Sequence, residues 1–339
     1  MKKNWIAWLL IAALGVSGPA AGTLAEAWLT VDETEAPAVQ AAVETVPVLE
    51  LPAAEGGTVT GIPIDQDSRQ TAIAPKAECY LVPEGAEDPT GYADPSITVN
   101  IGWGRFMETN YVYARVKIAS ASQLRTLLAS PLSSSGQTPG HDLAERVKAV
   151  IAINGDFCGG DGVARSALMR QGKMLRLHCD GNFDVLVIDQ AGDLEILLNA
   201  KDEDVQAVAD KAVNIFTFGP ALIQDGEPLY GRNRVNLGRN KQAQRMAICQ
   251  TGPLEYLLIT SEGPEDPPDC NGLTMDQFTE MISTHFPEVR TAYNLDGGSS
   301  STMVFRKGGK NWVKINAPNN GKRRPLKDII YFASAWETP

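Results

Sequence analysis

Two short motifs combine residue types that could perform catalysis. Each has the pattern Ala-x-Asn-x-Asp and ends an apolar segment, with Asn154 and Asp156 in the first and Asn294 and Asp296 in the second. Residues two apart on a strand share a face, so each motif would present an amide and a carboxylate together. Positioned carboxylates can act as general acid and base. The alternative is that Asn and Asp simply end these strands as turn formers.

A glycine- and serine-rich loop, 297–302 (GGSSST), follows the second motif directly. Consecutive glycines allow backbone N–H groups to turn toward an anion, and hydroxyls can bond phosphate or sugar oxygens. We therefore expect substrate to contact this loop and the glycine of the first motif: Gly155, Gly297, Gly298, Ser299 and Ser300. A flexible turn is the alternative. The loop lacks the lysine of a P-loop and the closing glycine of a nucleophile elbow.

Three arginines are candidates for binding phosphate. Arg165 follows the first motif, Arg245 begins an apolar segment, and Arg324 precedes the last predicted strand. A guanidinium group suits phosphate because its planar fork donates two parallel hydrogen bonds. Each arginine alone is more typical of a solvated surface charge, so the hypothesis depends on their convergence in the fold.

Histidine and zinc chemistry have little support. A catalytic triad needs a positioned histidine, but His141 and His178 lie in polar segments. We expect His285 to end a helix, either as a surface residue or as a residue that interacts with the helix dipole. The chain has no Cys-x-x-Cys and no His-x-x-x-His, spacings typical of zinc sites. We therefore favour carboxylates as the acid/base groups and assign no certain cofactor, with a divalent cation as an open alternative.

Hydrophobic patterning predicts the elements that position these residues. Alternating and short apolar runs predict strands over 96–105, 111–118, 149–153, 183–188, 194–198, 215–223, 255–260, 290–295 and 328–333. Helical segments are predicted over 122–128, 142–146 and 274–285, the last beginning with a capping box of Thr274 and Gln277. Asp225-Gly226 predicts a tight hairpin.

The strand, helix and strand between 255 and 295 predict a right-handed crossover joining parallel strands. Together with the hairpins, this predicts an α+β fold. Its core would be a mixed, largely antiparallel β-sheet with flanking helices and at least one βαβ crossover.

The N-terminus has the layout of a secretory signal or a membrane anchor. Lys2 and Lys3 precede the apolar run 5–16, and Ala25-Glu26-Ala27 offers a cleavage site, while the uncharged stretch 5–25 also suits an uncleaved anchor. We assign 1–27 to this signal or anchor, 28–75 to an acidic flexible linker, and 76–339 to one folded domain. The domain is thus expected outside the cytoplasm, secreted or anchored by the N-terminal helix.

The charge balance excludes some classes of partner. The 339-residue chain carries a formal net charge of −11 at pH 7, which argues against a nucleic-acid partner. No later segment has the ~18 uncharged apolar residues that span a bilayer, so a multi-pass membrane protein is excluded.

Five cysteines in an oxidising compartment predict disulfides. The favoured pair is Cys158 with Cys179, and the second is Cys249 with Cys270. Spacing alone does not decide connectivity, and the odd count leaves one thiol over.

Several segments, taken in order, resemble the phosphodiester glycosidase family. They are 153–157 (INGDF), 218–223 (FGPALI), 245–248 (RMAI), 294–303 (NLDGGSSSTM) and 316–318 (NAP) before Arg324-Pro325. The resemblance covers roughly residues 95–335, and bacterial relatives are often labelled exopolysaccharide biosynthesis proteins. This chain has Ser299 where the family usually has a third glycine, which bears on substrate choice. It also has Cys158 and Cys249 where an aromatic residue and a glycine are usual.

The resemblance implies hydrolysis of a sugar-1-phosphodiester, of N-acetylglucosamine type, that releases free sugar and leaves a phosphomonoester. Asp296 is then the nucleophile or base and Asp156 its partner; reversed roles, or a cation held by one carboxylate, are the alternatives. Asn154 and Asn294 would bind sugar hydroxyls, and the three arginines the phosphodiester. The expected substrate is a phosphorylated glycan or cell-wall polymer.

Two other functions would use the same residues. One is a non-catalytic cell-surface module that binds a phosphorylated glycan, and the other is a metal-dependent phosphodiesterase that releases sugar phosphate. Catalysis by two carboxylates requires both within ~5–10 Å of one sugar ring, whereas binding does not.

Overall fold

The structure is a computed structural model that describes residues 45–64, 73–131, 136–156, 166–232, 238–264, 270–308, 311–314, 316–317 and 323–339. All of them belong to one compact unit, Ala42–Pro339. Within these ranges, no helix is long and apolar enough to cross a membrane. The predicted signal or anchor, 1–27, lies outside the described residues.

The described part of the chain is built mainly from strands. The strands are β1 Thr58–Val59, β2 Tyr80–Leu81, β3 Gly91–Asp94, β4 Ile97–Phe106, β5 Thr109–Ile118, β6 Leu124–Leu128, β7 Ala149–Asn154, β8 Leu168–Arg170, β9 Lys173–Arg176, β10 Val185–Asp189, β11 Leu194–Leu197, β12 Ala212–Phe216, β13 Ala221–Gln224, β14 Glu227–Pro228, β15 Met246–Gly252, β16 Glu255–Ser261, β17 Thr291–Leu295, β18 Met303–Gly308, β19 Asn311–Lys314, β20 Asp328–Ala333 and β21 Trp336–Glu337. The α-helices are α1 Gly140–Arg146, α2 Asp202–Val208 and α3 Met275–His285.

Three larger sheets and one two-stranded ribbon (β1-β21) organise these strands. The largest sheet has nine strands in the order β14-β13-β17-β15-β16-β5-β4-β3-β2. Two five-stranded sheets have the orders β19-β18-β7-β20-β6 and β11-β10-β12-β8-β9. The described strand pairings are antiparallel, so an α+β fold with a largely antiparallel core is confirmed.

The predicted βαβ crossover is not confirmed as parallel pairing. β16 and β17 do run in the same direction, with α3 between them in the chain, but both pair antiparallel with β15, which lies between them. The pattern of strand, helix and strand was visible in the sequence. The position of the earlier strand β15 between β16 and β17 was not visible in that pattern.

Helix α3 begins and packs as its sequence predicts. Thr274 accepts from the Gln277 backbone N–H at 3.2 Å, and the Gln277 side chain accepts from the Thr274 N–H at 2.9 Å, which completes the capping box. Its apolar residues Phe278 and Ile282 are fully buried against one face of the nine-stranded sheet. Burial of such a side chain contributes about 1.5–3 kcal/mol, which fixes the helix on the sheet.

The main core lies between the three sheets because their strands alternate. In β5, Val112 and Val116 join a cluster that also contains Ile153 of β7 and Phe216 of β12. The intervening Tyr113 faces the α3 side instead. The two motif-bearing strands, β7 and β17, therefore enter the same core from different sheets.

Two sequence predictions fail locally. The segment 122–128, predicted as a helix, is a short 3-10 turn followed by β6, which pairs with β20. His285 is buried rather than exposed, with its Nδ1 2.7 Å from the Tyr111 hydroxyl. By contrast, the hairpin at Asp225-Gly226 joins β13 to β14, and both residues have positive φ as that turn requires.

Residues 45–64, expected within a flexible linker, lie along the sheets. The Leu49 carbonyl accepts from Thr98 at 2.8 Å, and the Ile62 carbonyl accepts from Arg125 at 2.8 Å. Ile62 is buried, and β1 pairs with β21. Acidic composition was a poor guide here because backbone carbonyls and a few apolar side chains make the contacts.

The expected disulfides are not formed. Cys79, Cys179 and Cys249 are free thiols in the described structure, so neither the Cys249–Cys270 nor the Cys158–Cys179 pair is present. Cys158 itself lies outside the described residues. Full burial of Cys249 in β15 raises the pKa of its thiol, so it is a packed apolar group.

Candidate active site

The two Ala-x-Asn-x-Asp motifs meet where β7 and β17 end. The Asn154 side-chain amide donates to the Asp296 carbonyl at 2.7 Å, and its Oδ1 accepts from the Thr302 backbone N–H at 3.0 Å. The Asp296 N–H also approaches the Gly155 carbonyl, at 3.4 Å. Asn154, expected to bind a sugar hydroxyl, instead joins the two motif loops.

Both predicted catalytic carboxylates line one small cleft. Asp328, at the start of β20, adds a third carboxylate, and Arg324 and Ser300 lie on the same wall. The cleft therefore brings carboxylates, a guanidinium and a hydroxyl together. Its complete lining is Gln137, Asn154, Gly155, Asp156, Asp296, Ser300, Arg324, Pro325, Leu326, Lys327 and Asp328.

Asp296 is a largely buried carboxylate with a basic partner. Burial raises its pKa above the ordinary range, and the nearby charge of Asp156 acts in the same direction. Hydrogen bonds from Ser300 and the Gly297 N–H, and the charge of Arg324 at 2.7 Å, oppose the increase. A carboxylate with a raised pKa is a stronger base near neutral pH, and the ion pair favours its charged form.

Asp156 is fixed by a backbone hydrogen bond and by a nearby buried arginine. Its Oδ2 accepts from the Thr217 backbone N–H at 2.8 Å and lies 3.9 Å from an Arg170 nitrogen. Arg170 in turn donates to Asp328 at 2.6 and 3.0 Å and stacks 3.8 Å from the Phe216 ring centroid. This buried network fixes the orientation of Asp156.

Sequence reasoning missed Arg170 and Asp328. The available signal was a charged residue opening the apolar strand 328–333. The structure also explains Gly155: a Cβ there would lie 2.6 Å from the Asp328 Oδ1, so any larger residue would displace the Asp328 carboxylate.

Two N–H groups of the glycine-rich loop, which was expected to turn them toward an anion, are engaged within the protein. The Gly298 N–H donates to the Gln244 carbonyl at 3.0 Å, and the Ser300 N–H to the Gly297 carbonyl at 3.2 Å, within the 3-10 turn Gly298–Ser300. Ser299 contributes its carbonyl, which accepts from the Arg324 N–H at 2.8 Å. The loop thus holds Arg324 beside Asp296.

Arg324 and Arg245, two of the three predicted arginines, make different contacts. Arg324 lines the cleft and also donates to the Ser300 hydroxyl at 2.8 Å. Arg245 is buried and donates to the carbonyls of Leu273, Gly238 and Lys241, with burial lowering its pKa to about 10. Its contacts support loops instead of a phosphodiester. Arg165 lies outside the described residues.

A second cavity, of about 440 Å³ and open to solvent, adjoins Asp296. Asn294 lies in its wall, almost fully buried, and donates to the Gly219 carbonyl at 2.7 Å. The cavity is lined by Phe218, Ala243, Gln244, Arg245, Asn294, Leu295, Asp296, Gly297 and Gly298. Asp296 is the carboxylate that this cavity shares with the cleft.

The described ranges contain no group of three or more His, Cys, Asp or Glu side chains placed to hold a metal ion. The carboxylates of the cleft are instead engaged by arginines and backbone N–H groups.

A solved structure shares this architecture. The zebrafish N-acetylglucosamine-1-phosphodiester alpha-N-acetylglucosaminidase catalytic domain, auto-inhibited by its pro-peptide, matches with a TM-score of 0.57 at 14% identity, covering 81% of this chain and 99% of that one. At this identity the likeness shows the fold alone. A hypothetical protein from Synechocystis matches with a TM-score of 0.47 at 14% identity, covering 73% of this chain and 64% of that one. A comparison with curated protein sequences finds no match.

The family model for phosphodiester glycosidases matches residues 147–333. This range is more than half of the chain and contains both motifs, the serine-rich loop, Arg170, Arg324 and Asp328. The predicted resemblance is thereby confirmed. The chain belongs to the phosphodiester glycosidase family.

Proposed function

We propose that this protein hydrolyses a sugar-1-phosphodiester, releasing free sugar and leaving a phosphomonoester on the other partner. The observation that carries the proposal is the single cleft containing Asp156, Asp296 and Arg324. Two carboxylates can flank an oxocarbenium-like transition state. A guanidinium beside them can neutralise a phosphate leaving group.

Asp296 acts as the nucleophile or base in this proposal. The pair with Arg324 keeps it ionised, and its raised pKa gives it basic strength near neutral pH. Asp156, held by the Thr217 N–H, is the fixed partner whose negative charge stabilises the positive anomeric carbon. The C–O bond to the anomeric carbon breaks, the phosphomonoester leaves with the bonding electrons, and water supplies the new hydroxyl.

N-acetylglucosamine is the first sugar to test. The zebrafish protein of the same fold is named for removing this sugar from a phosphodiester. The predicted signal or anchor places the substrate outside the cytoplasm, where a phosphorylated surface glycan or cell-wall polymer would be available. Secretion and the polymer itself are parts of the proposal.

The test is a product assay with purified protein and a nucleotide sugar that contains an N-acetylglucosamine-1-phosphodiester. Free sugar and sugar phosphate are quantified separately, with and without a chelator, beside Asp296→Asn. Chelator-resistant release of free sugar, lost in the variant, supports the proposal.

Three other results would contradict the proposal. Sugar phosphate that disappears on chelation would identify a metal-dependent phosphodiesterase. Binding of the phosphorylated glycan without either product would identify a binding module. Full turnover in Asp296→Asn would refute the assignment of the base.

A further inference from the structure

The connection between β12 and β13, residues 217–220, contacts the segments that carry both candidate catalytic carboxylates. At its start the Thr217 N–H donates to Asp156 Oδ2 at 2.8 Å. Its last two carbonyls accept from the side chain and the N–H of Asn294, at 2.7 and 3.1 Å. Asn294 stands two residues before Asp296 in the same motif. A displacement of this connection would therefore reach Asp156 directly and Asp296 through β17.

Asp184, one residue before β10, fixes the far end of the connection. Its Oδ2 accepts from the Ala221 N–H at 3.1 Å, directly after the connection, and its Oδ1 accepts from the Asn199 N–H at 3.0 Å. Its backbone carbonyl accepts from the hydroxyl of Tyr293, the residue before Asn294, at 2.7 Å. The Asp184 side chain is 5% exposed. One buried residue thus links β10, β13 and β17 around the connection.

Arg232 supplies the positive charge beside this buried carboxylate. Its Nε and Nη2 donate to the two Asp184 side-chain oxygens at 3.0 and 2.6 Å, and Nη2 also donates to Asn199 Oδ1 at 3.1 Å. A bidentate pair of this kind fixes the plane of the carboxylate. Because a buried carboxylate without a cation is costly, loss of the Arg232 guanidinium would favour rotation of Asp184 toward water and away from the Ala221 N–H.

We propose that Asp184 and Arg232 are positioning residues for the proposed hydrolysis, acting through the connection 217–220 on Asp156 and Asp296. The inference rests on the proposed function for the reaction and adds an ion pair that lies outside the lining of both cavities. Catalysis by two carboxylates depends on their relative placement, since a misplacement of ~1 Å can cost about 10²-fold in rate.

The experiment compares Arg232→Met with a matched control, Arg239→Met. Arg239 forms the same kind of pair at similar exposure, 31% against 24%, with Asp276 of α3 at 2.5 Å. Asp276 accepts from the Gly231 N–H and makes no described contact with the connection 217–220. The initial rate of free-sugar release from the nucleotide sugar gives kcat and KM, at a temperature where circular dichroism shows every variant to be folded.

We expect Arg232→Met to lower kcat about 10- to 100-fold while KM stays within about twofold, because the carboxylates lose their relative placement and the cavity linings remain. Arg232→Lys keeps a charged donor but loses the bidentate geometry, so its kcat should fall between those of Arg232→Met and the unmodified protein. Arg239→Met should leave both constants unchanged.

Amide hydrogen exchange provides a measurement that needs no substrate. The Thr217 N–H, which donates to Asp156, should exchange about tenfold faster in Arg232→Met, the effect of weakening one hydrogen bond. The N–H of Ile248, in the centre of β15, reports the opening of the whole fold and should accelerate much less. A pair that only stabilised the fold would accelerate both amides equally.

Three results would overturn the inference: an unchanged kcat in Arg232→Met, an equal loss of kcat in Arg239→Met, or equal acceleration of exchange at Thr217 and Ile248. Selective acceleration at Thr217, in a protein that releases no free sugar from the nucleotide sugar, would uphold the link from Arg232 to Asp156. That result would refute the proposed hydrolysis instead.

Discussion

Removal of the Arg324 charge should move the pH dependence of catalysis in a defined direction. The Arg324 guanidinium lies 2.7 Å from Asp296 and lowers the pKa that burial raises. In Arg324→Met this opposing charge is gone, so the pKa of Asp296 rises further. Because the base must be ionised, the acidic limb of the kcat/KM profile moves to higher pH.

The size of the shift follows from the exposure of the pair. Two unit charges ~4 Å apart interact by ~4 kcal/mol at an effective dielectric constant of 20 and by ~1 kcal/mol in bulk water. The Asp296 side chain is 14% exposed and the Arg324 side chain is 39% exposed, so solvent screens this ion pair. Its interaction energy should therefore lie near the lower of these two values. We take about 1.4 kcal/mol, which corresponds to a shift of about one pH unit.

The assay is the initial rate of free-sugar release between pH 4 and 9 at substrate concentrations far below KM. Arg323→Met is the matched control, since Arg323 donates to Asn316 and does not line the cleft. Loss of phosphate neutralisation should also lower kcat about 10²- to 10³-fold in Arg324→Met. Arg324→Lys, which keeps the charge, should shift the limb less.

An unmoved acidic limb in Arg324→Met would refute this reasoning. If the alkaline limb moved upward instead, Asp296 would be the general acid and the roles of the two carboxylates would be reversed. An equal shift in Arg323→Met would show a general field effect in place of a specific pair.

Three further predictions concern stability. Burial lowers the pKa of His285, so this histidine stays neutral in the folded state. In the unfolded chain it takes up a proton below about pH 6.5. The free energy of unfolding is therefore highest above that pH and decreases below it. His285→Gln, which can still accept from Tyr111, should therefore lose less thermal stability than the unmodified protein between pH 7.5 and 5, and an equal loss would contradict this. Gly155→Ala places a Cβ 2.6 Å from the Asp328 carboxylate and should destabilise by about 1–3 kcal/mol in urea unfolding; an unchanged midpoint would show that the cleft can relax. Asp328→Asn removes the closer of the two carboxylates paired with the buried Arg170 guanidinium, at 2.6 Å against 3.9 Å for Asp156, and should lower the free energy of unfolding by about 3–5 kcal/mol in the same assay. A loss below about 1 kcal/mol would contradict the network.

Much of the fold could be predicted because local pattern and tertiary packing agree. The alternation in β5, the capping box of α3 and the Asp225-Gly226 turn are each decided by neighbouring residues. The segment 122–128 shows the opposite case. Leu124, Leu127 and Leu128 have helical spacing, but pairing with β20 overrides it, and that partner lies about 200 residues away in the chain.

The sequence predicted which residue types form the candidate site, but not which role each residue has. Two motifs with the same pattern suggest equivalent roles, yet Asn154 joins the two motif loops while Asn294 donates to the Gly219 carbonyl. This difference arises because β7 and β17 belong to different sheets, and only the meeting of those sheets decides which side chain is enclosed.

The same argument applies to the carboxylates. Asp156 is held near Arg170 and the Thr217 N–H, which come from strand β8 and the end of β12 in a third sheet. Asp296 follows β17 and lines both cavities. The Asp296 side chain is 14% exposed and open to a substrate, whereas the Asp156 side chain is 2% exposed and fixed in a buried network. The asymmetry created by the sheets is therefore the physical basis for assigning the reactive role to Asp296.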